Sequence, residues 1–229
     1  MILPILAFCL LMSACSRNGN GPTKYKVKTQ VNYQLGSNGD TLLVSYYFNI
    51  YDNQGRLSQQ LSTVSNTSLS MNALAYVDTF TSNYTSNSIK VFNGNTLVYS
   101  WSLNSLGRIV SDADDVFAYN SNGYRIADSF MTGNTPSEII KYTIANGNIN
   151  IREGFNAAGD SIFQINYTHL NTLEMRDYGT PFWGIDDKNL INTTTQAGYV
   201  FTLAYTFDNL GRVTYELHDP RDFSTYTYY

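Results

Sequence analysis

The chain has 229 residues and a formal net charge of −4, and charged residues make up only 14% of it, against ~25% in an average soluble domain. That length suits one sizeable domain with a buried core, and an acidic balance without a basic run argues against a nucleic-acid partner. Ser, Thr and Asn supply the polar surface in place of charge, and Tyr is abundant at 19 residues, a composition that favours strands.

Met1 to Met12 is an apolar stretch too short to span a bilayer, and it reads as the core of a secretory signal. The segment Leu11-Met12-Ser13-Ala14-Cys15 that ends it resembles a bacterial lipobox. The resemblance implies cleavage before Cys15, lipidation of Cys15 and, with Ser16 behind it, an outer-membrane destination. Residues 1–14 are then a lipoprotein signal peptide, 15–24 a Gly/Asn/Pro-rich tether, and 25–229 a single β-meander domain. The only cysteines are Cys9 and Cys15, so no disulfide, Cys-based metal site or thiol nucleophile is expected in the mature chain.

The domain is punctuated by one turn motif. Tyr51-Asp52-Asn53-Gln54-Gly55-Arg56-Leu57 returns as Phe207-Asp208-Asn209-Leu210-Gly211-Arg212-Val213, with looser copies at Asn104–Gly107, Asn120–Gly123 and Asn156–Gly159. Asp or Asn in first place bonds the backbone two residues on, and Gly in fourth place takes a positive φ. Asp52, Gly55, Asn104, Gly107, Asn120, Gly123, Asn156, Gly159, Asp208 and Gly211 are therefore structural hairpin residues. A second series, Asn38-Gly39, Asn93-Gly94, Asn146-Gly147 and Ala197-Gly198, interleaves with the first. Gly55, Gly107, Gly159 and Gly211 fall at equal intervals, which reads as an internal repeat of turn–strand–turn units.

Alternation between the turns predicts strands. In 97–103 one face carries Leu, Tyr, Trp and Leu, and in 199–207 Tyr, Phe, Leu, Tyr and Phe, opposite a mostly small or polar face. Further strands are expected near 27–35, 41–51, 56–64, 73–80, 86–92, 108–113, 115–119, 124–130, 138–144, 148–155, 160–169, 212–218 and 223–229, with a loose hairpin tip inside 62–88. The class is all-β: a long antiparallel meander of hairpins, curled or closed into a barrel-like sheet to protect its edges. Arg56, Arg108 and Arg212, each following a turn glycine, are expected either beside Tyr51, Leu103 and Phe207 across their own hairpins, over a ring where there is one, or simply solvated beside the turn.

Asn171 to Gln196 breaks the rhythm and reads as a long irregular insertion, a frequent place for function. It sets Tyr178, Phe182 and Trp183 beside Asp177, Asp186 and Asp187. Tyr178, Phe182, Trp183, Asp186 and Asp187 are the candidate ligand-binding residues, aromatics to stack a sugar ring and acids to bond its hydroxyls. The competing reading makes Phe182 and Trp183 a plug for one end of the sheet, shaped by Gly179, Pro181 and Gly184. Neither His169 nor His218 has partners at metal-ligand spacing, and no nucleophile elbow, P-loop or zinc-protease motif occurs. No cofactor, metal or catalytic residue is assigned. Asp40-Thr41-Leu42 and Asp160-Ser161-Ile162 match an O-glycosylation pattern of Bacteroidota, which makes Thr41 and Ser161 candidates for modification.

The lipobox, the Tyr-Asp-x-x-Gly-Arg-Leu turns, the Gly179-Thr180-Pro181-Phe182-Trp183-Gly184 loop and the terminal Tyr226-Thr227-Tyr228-Tyr229 strand together resemble uncharacterised lipoproteins of Bacteroidota, grouped as a domain of unknown function with a porin-like fold. Seven residues at a time, the turns also resemble the tyrosine-aspartate repeats of toxin-shell proteins. Neither resemblance implies catalytic residues. The expected function is a lipid-anchored, non-enzymatic binding or structural β domain of the cell envelope, held to the membrane by its N-terminal lipid and partnered by a glycan or an envelope protein. The alternatives are a glycan-active hydrolase of the cell surface and an integral outer-membrane β-barrel.

Overall fold

The computed structural model describes residues 24–66, 77–112, 114–219 and 221–229. The expected signal peptide, Cys15, nearly all of the expected tether and the tip of the hairpin expected within 62–88 lie outside these residues. Among the described residues, eighteen strands form one sheet. The first nine are β1 (Tyr25–Leu35), β2 (Thr41–Tyr51), β3 (Leu57–Asn66), β4 (Val77–Tyr84), β5 (Ser88–Asn93), β6 (Thr96–Leu103), β7 (Ile109–Ser111), β8 (Asp115–Tyr119) and β9 (Arg125–Thr132). The rest are β10 (Thr135–Ala145), β11 (Asn148–Asn156), β12 (Ser161–Leu173), β13 (Arg176–Asp177), β14 (Asn189–Gln196), β15 (Tyr199–Thr202), β16 (Ala204–Phe207), β17 (Val213–Asp219) and β18 (Asp222–Tyr228).

From β1 to β12 each strand pairs antiparallel with the next. β12 then pairs β14, and β15 and β16 are one run interrupted at Leu203. The last strand returns to the first, with Val31 opposite Thr225. The meander is therefore a barrel-shaped sheet, and the edge strands of an open sheet are paired. β13 stands apart: it lies parallel to the first residues of β1, Tyr25 opposite Arg176.

The Asx-x-x-Gly turns have the expected geometry. The N–H groups of Gln54, Leu106, Ala158 and Leu210 donate to Asp52, Asn104, Asn156 and Asp208 Oδ1 at 2.9–3.0 Å. The five glycines have φ between 71° and 95°. Each Oδ1 also accepts the N–H four residues on, from Arg56, Arg108, Asp160 and Arg212, and Asn120 accepts that of Tyr124. Burial by itself pushes the Asp52 carboxyl up, but the Arg56 N–H and guanidinium outweigh it and hold it below its ordinary value. The three arginines do lie over rings, though not those across their own hairpins. Arg56 covers Tyr84 at 4.3 Å, Arg108 covers Tyr119 at 5.7 Å and Arg212 covers Tyr228 at 4.9 Å. Sequence separation along one hairpin does not reveal which ring the next hairpin brings alongside.

Strand alternation sorts the turns between two ends. The start of β1 and the turns at 52–55, 104–107, 120–123 and 208–211 share one end with the connection between β12 and β14. The Asn156–Gly159 turn lies at the opposite end. The equal spacing of the glycines is therefore not a structural repeat: an even number of strands separates Gly55 from Gly107, but an odd number separates Gly107 from Gly159, and the unit is inverted. The irregular insertion is also shorter than expected. β12 runs on to Leu173 and Asn189–Gln196 forms β14, whose Thr-rich sequence hides a strand held by neighbours on both sides.

Apolar burial concentrates toward the end where β1 starts, in two clusters: Val27, Leu190, Val213 and Tyr226, and Ile89, Val91, Ile109 and Phe117. Tyrosines tie that rim together. The hydroxyls of Tyr51, Tyr119, Tyr205 and Tyr228 donate to Val27, Ile109, Ile191 and Val213 carbonyls of the adjoining strands at 2.6–2.8 Å, and Tyr84 does so to Leu57. Ala197 occupies the left-handed region at φ 49° in the turn between β14 and β15, where a Cβ costs roughly 1–2 kcal/mol. Ala197→Gly is expected to stabilise the barrel by about 0.5–1 kcal/mol after the entropy of the unfolded glycine is counted. A thermal melt by circular dichroism should rise by about 1–4 °C; an unchanged or lower midpoint contradicts the turn assignment.

Candidate functional site

The connection between β12 and β14 does not hang outside the barrel. Residues 174–188 turn inward and fill the end where β1 starts. The backbone is stitched to the wall along its length: the Tyr25 N–H donates to Met175 O at 2.7 Å, the Leu57 N–H to Gly179 O at 3.0 Å, the Ile185 N–H to Gly123 O at 3.1 Å and the Lys188 N–H to Gly147 O at 2.9 Å. Close approach demands glycine at two points. A Cβ on Gly179 would stand 2.5 Å from the Tyr51 ring, and one on Gly184 2.9 Å from Gly123 O.

Pro181–Trp183 is one 3-10 turn, and its two rings pack against the same apolar cluster of the wall, around Ile89, Val91, Ile109 and Phe117. Phe182 stacks on Tyr84 with centroids 5.2 Å apart, and Trp183 meets Trp101 and Phe117 edge-on at 5.6 and 5.2 Å. The Arg125 guanidinium covers both Phe117 and Trp183 at 4.5 and 5.0 Å, a charge kept in place by Asp128, which also accepts the Tyr142 hydroxyl. Burial first, then that hydrogen bond, push the Tyr142 hydroxyl up to about 12.

Charge fixes the other half of the plug. Arg176 on β13 bonds Glu174 through Nε at 2.9 Å and reaches across to Glu216 on β17. Glu216 also accepts the Tyr226 hydroxyl at 2.8 Å. Burial alone pushes the Glu216 carboxyl up, but the Arg176 charge outweighs it and holds the group below its ordinary 4.5. Lys26 pairs with Asp177 at 3.0 Å.

Two cavities border this arrangement, and a third lies farther along the wall. One of about 390 Å³ is lined by charged and polar groups that include Arg125, Tyr142, Arg176 and Asp187. A second, of about 240 Å³, lies on the other side of Trp183, between Phe80, Tyr84, Tyr99, Trp101 and Phe182, with Gln60, Ser82 and Thr180 as its polar groups. Tyr99 and Trp101 stack there at 5.5 Å and 7°. They lie on the inner face, opposite buried Val91 and Ile89, yet Tyr99 is 55% exposed, so the lumen is open above the plug. A third cavity, about 460 Å³, lies between β1, β2, β17 and β18 and is lined by Gln30, Asn32, Gln34, Ser45, His218, Asp222 and Ser224 together with the rings of Tyr33 and Phe223.

Of the candidate ligand residues, Tyr178, Trp183, Asp186 and Asp187 border the first cavity and Phe182 the second. They are not an external sugar platform: the rings face the interior. Both acids are engaged, Asp186 with Lys24 at 2.8 Å and Asp187 with the Ile149 N–H at 2.5 Å and His169 at 3.6 Å. Burial raises the Asp187 carboxyl above its ordinary value, against the pull of that N–H and of His169. Cys15 lies outside the described residues, and Thr41 and Ser161 open β2 and β12 at the end opposite the plug. The sequence reading did not nominate Tyr99, Trp101 or Gln60, because an inward aromatic face looks the same whether the interior behind it is filled or open. Among the described residues, no three His, Cys, Asp or Glu side chains gather as metal ligands do.

No family model matches the chain, and no curated protein matches it. Among solved structures the fold is similar to that of a porin-like protein from Bacteroides uniformis, with a TM-score of 0.68 at 15% identity over 89% of this chain and 98% of that one. A porin-like protein from Bacteroides vulgatus aligns over 90% of this chain and 99% of that one at 9% identity, with a TM-score of 0.30. The first similarity establishes a shared barrel-shaped architecture.

Arg176→Ala leaves Glu174 and Glu216 without their cation, a loss of about 3–5 kcal/mol for a buried pair, read as a melting temperature lower by roughly 10 °C. Because the folded carboxyl of Glu216 is depressed, its contribution is full above 4.5 and is lost as pH falls through the folded value. Urea melts of Glu216→Gln should therefore lose less stability between pH 5 and pH 3 than the parent chain; equal losses contradict the ion-pair account.

Proposed function

We propose that this chain is a lipid-anchored β domain of the cell envelope that binds a ligand in the lumen above its plug and catalyses no reaction. The observation that carries the reading is the cleft of about 240 Å³ that ends on Phe182 and Trp183. It is concave and mostly apolar, with a few convergent polar groups, which is the make-up of a small-molecule site. The anchor and outer-membrane destination rest on the lipobox at Cys15, and the similarity to a porin-like protein of Bacteroides accords with an envelope location.

The outer wall argues against a barrel immersed in lipid. By alternation Lys90, Lys141, Glu153 and Gln164 face outward, and charges on a lipid-facing wall cost several kcal/mol near the bilayer centre. Hydrolysis has one observation in its favour: His218 Nε2 is 2.9 Å from Ser224 Oγ, and His218 Nδ1 is 3.9 Å from Glu216 Oε1. Yet Ser224 is 2% exposed, and its hydroxyl donates to Asn32 Oδ1 at 2.8 Å, so the nucleophile's proton and the approach to its oxygen are both taken. Binding is directly readable, since the only two tryptophans of the chain, Trp101 and Trp183, both line the cleft. A neutral apolar dye, N-phenyl-1-naphthylamine, should quench them saturably, with affinity at least tenfold lower in Phe80→Ala, while a fluorophosphonate leaves Ser224 unlabelled. Stoichiometric labelling of Ser224 favours the hydrolase, and an absence of quenching by the dye and by every other neutral ligand titrated sinks the binding reading.

A further inference from the structure

We propose that the ligand of this lumen is a neutral oligosaccharide, its ring faces laid on the Tyr99–Trp101 stack and its hydroxyl groups on the amide-bearing wall of β1, β2, β17 and β18. The proposal rests on the lumen being a binding site, and it names the chemical class that fits.

Charge comes first. None of the side chains lining the aromatic cleft is Asp, Glu, Lys, Arg or His. An ion entering it loses hydration and gains no counter-charge, a cost of several kcal/mol, so the occupant is neutral. The second observation is the direction in which the stack is open. Trp183 closes it from below, edge-on to Trp101 at 5.6 Å, Trp101 lies parallel to Tyr99, and above Tyr99 the ring is exposed. The negative face of an aromatic ring favours a partner that presents polarised hydrogens, and the axial C–H face of a pyranose does so.

The third observation separates a sugar from a plain apolar ligand. The same lumen carries a polar wall. Gln60, at the edge of the cleft, donates to Asn49 Oδ1 at 2.9 Å, and Asn49 is 2% exposed. Four residues along β2, roughly 13 Å at the rise of a strand, Ser45 lines the cavity of about 460 Å³ together with Gln30, Asn32, Gln34, His218, Ser224 and one carboxylate, Asp222, which adds to the exclusion of anions. Part of this wall is satisfied internally: Gln30 and Ser224 both donate to Asn32 Oδ1 at 2.8 Å. The side chains of Gln34 and Ser45 have no protein partner among the described residues. Amides and hydroxyls that offer donors and acceptors together match sugar hydroxyls, which need both. An aliphatic or aromatic hydrocarbon lying along the same lumen would cover this wall and leave its groups unpaired.

The test uses the full chain in a detergent without a sugar headgroup, with Trp101 and Trp183 fluorescence as the readout. Neutral manno-, gluco- and xylo-oligosaccharides of two to six rings, an oligouronide of matching length, and N-phenyl-1-naphthylamine are titrated separately. The expected result is saturable quenching by at least one neutral series, with affinity rising with chain length and at least tenfold weaker binding of the oligouronide. Tyr99→Ala should abolish the quenching, and Gln34→Leu, at the exposed far end of the wall, should weaken the hexasaccharide at least fivefold and more than it weakens the disaccharide. Dye binding without any response to the neutral series overturns the sugar assignment while leaving the lumen a binding site. Silence toward every probe overturns both, and a Gln34→Leu effect equal on short and long sugars removes the amide wall from the proposal.

Discussion

A sheet that closes on itself through so many strands encloses more volume than its own inward side chains can fill. The rest of the structure answers to that constraint. At one end the space is taken by residues 174–188, which bring three aromatic rings and an arginine into the interior. At the other end nothing among the described residues plays that part, and inward rings such as Tyr99 and Tyr199 are left exposed. Over the described residues the barrel is thus a cup rather than a tube or a solid core.

The plug is held by two kinds of force, and each explains a feature that is costly by itself. Glu174, Arg176 and Glu216 form a buried charge cluster, which gains little net stability over an apolar replacement once desolvation is counted. Its value lies in orientation, because Arg176 is satisfied only when β13 lies against the start of β1 and within reach of β17. The aromatic half, Phe182 and Trp183, supplies apolar burial, roughly 25 cal/mol for each Å² removed from water. Tyrosine hydroxyls on neighbouring carbonyls then tighten the rim around it. The abundance of tyrosine thus follows from a wall that needs a large apolar body and a polar tip in one residue.

Local chemistry was legible in the sequence and long-range partnership was not. Asp52, Asn104, Asn156 and Asp208 form their turns with the hydrogen bonds that an Asx side chain and a following glycine dictate, and most strands fall within a few residues of the alternation. The return of β18 to β1 depends on strand number and stagger, which no single turn encodes. The same is true of the inverted Asn156–Gly159 unit, where equal spacing along the chain concealed an odd number of strands. β14 escaped notice because Asn-Leu-Ile-Asn-Thr-Thr-Thr-Gln lacks a clean apolar face. The site was half legible. The break in rhythm marked the right segment, and the glycines and proline around Phe182 and Trp183 suggested a plug. What the segment presses against, and the open cleft of Tyr99, Trp101 and Gln60 it leaves above, required the register of β3 to β6.

The central claim is that residues 174–188 are an internal, hydrogen-bonded part of the barrel. Hydrogen exchange of the full chain, resolved to single amides, tests it most directly. The account predicts that the amides of Leu57, Ile185 and Lys188, which donate to Gly179, Gly123 and Gly147 carbonyls, exchange as slowly as those in the middle of β1 and β2. Exchange of these three within seconds, at the rate of an exposed loop, would place the segment outside the barrel and contradict the account.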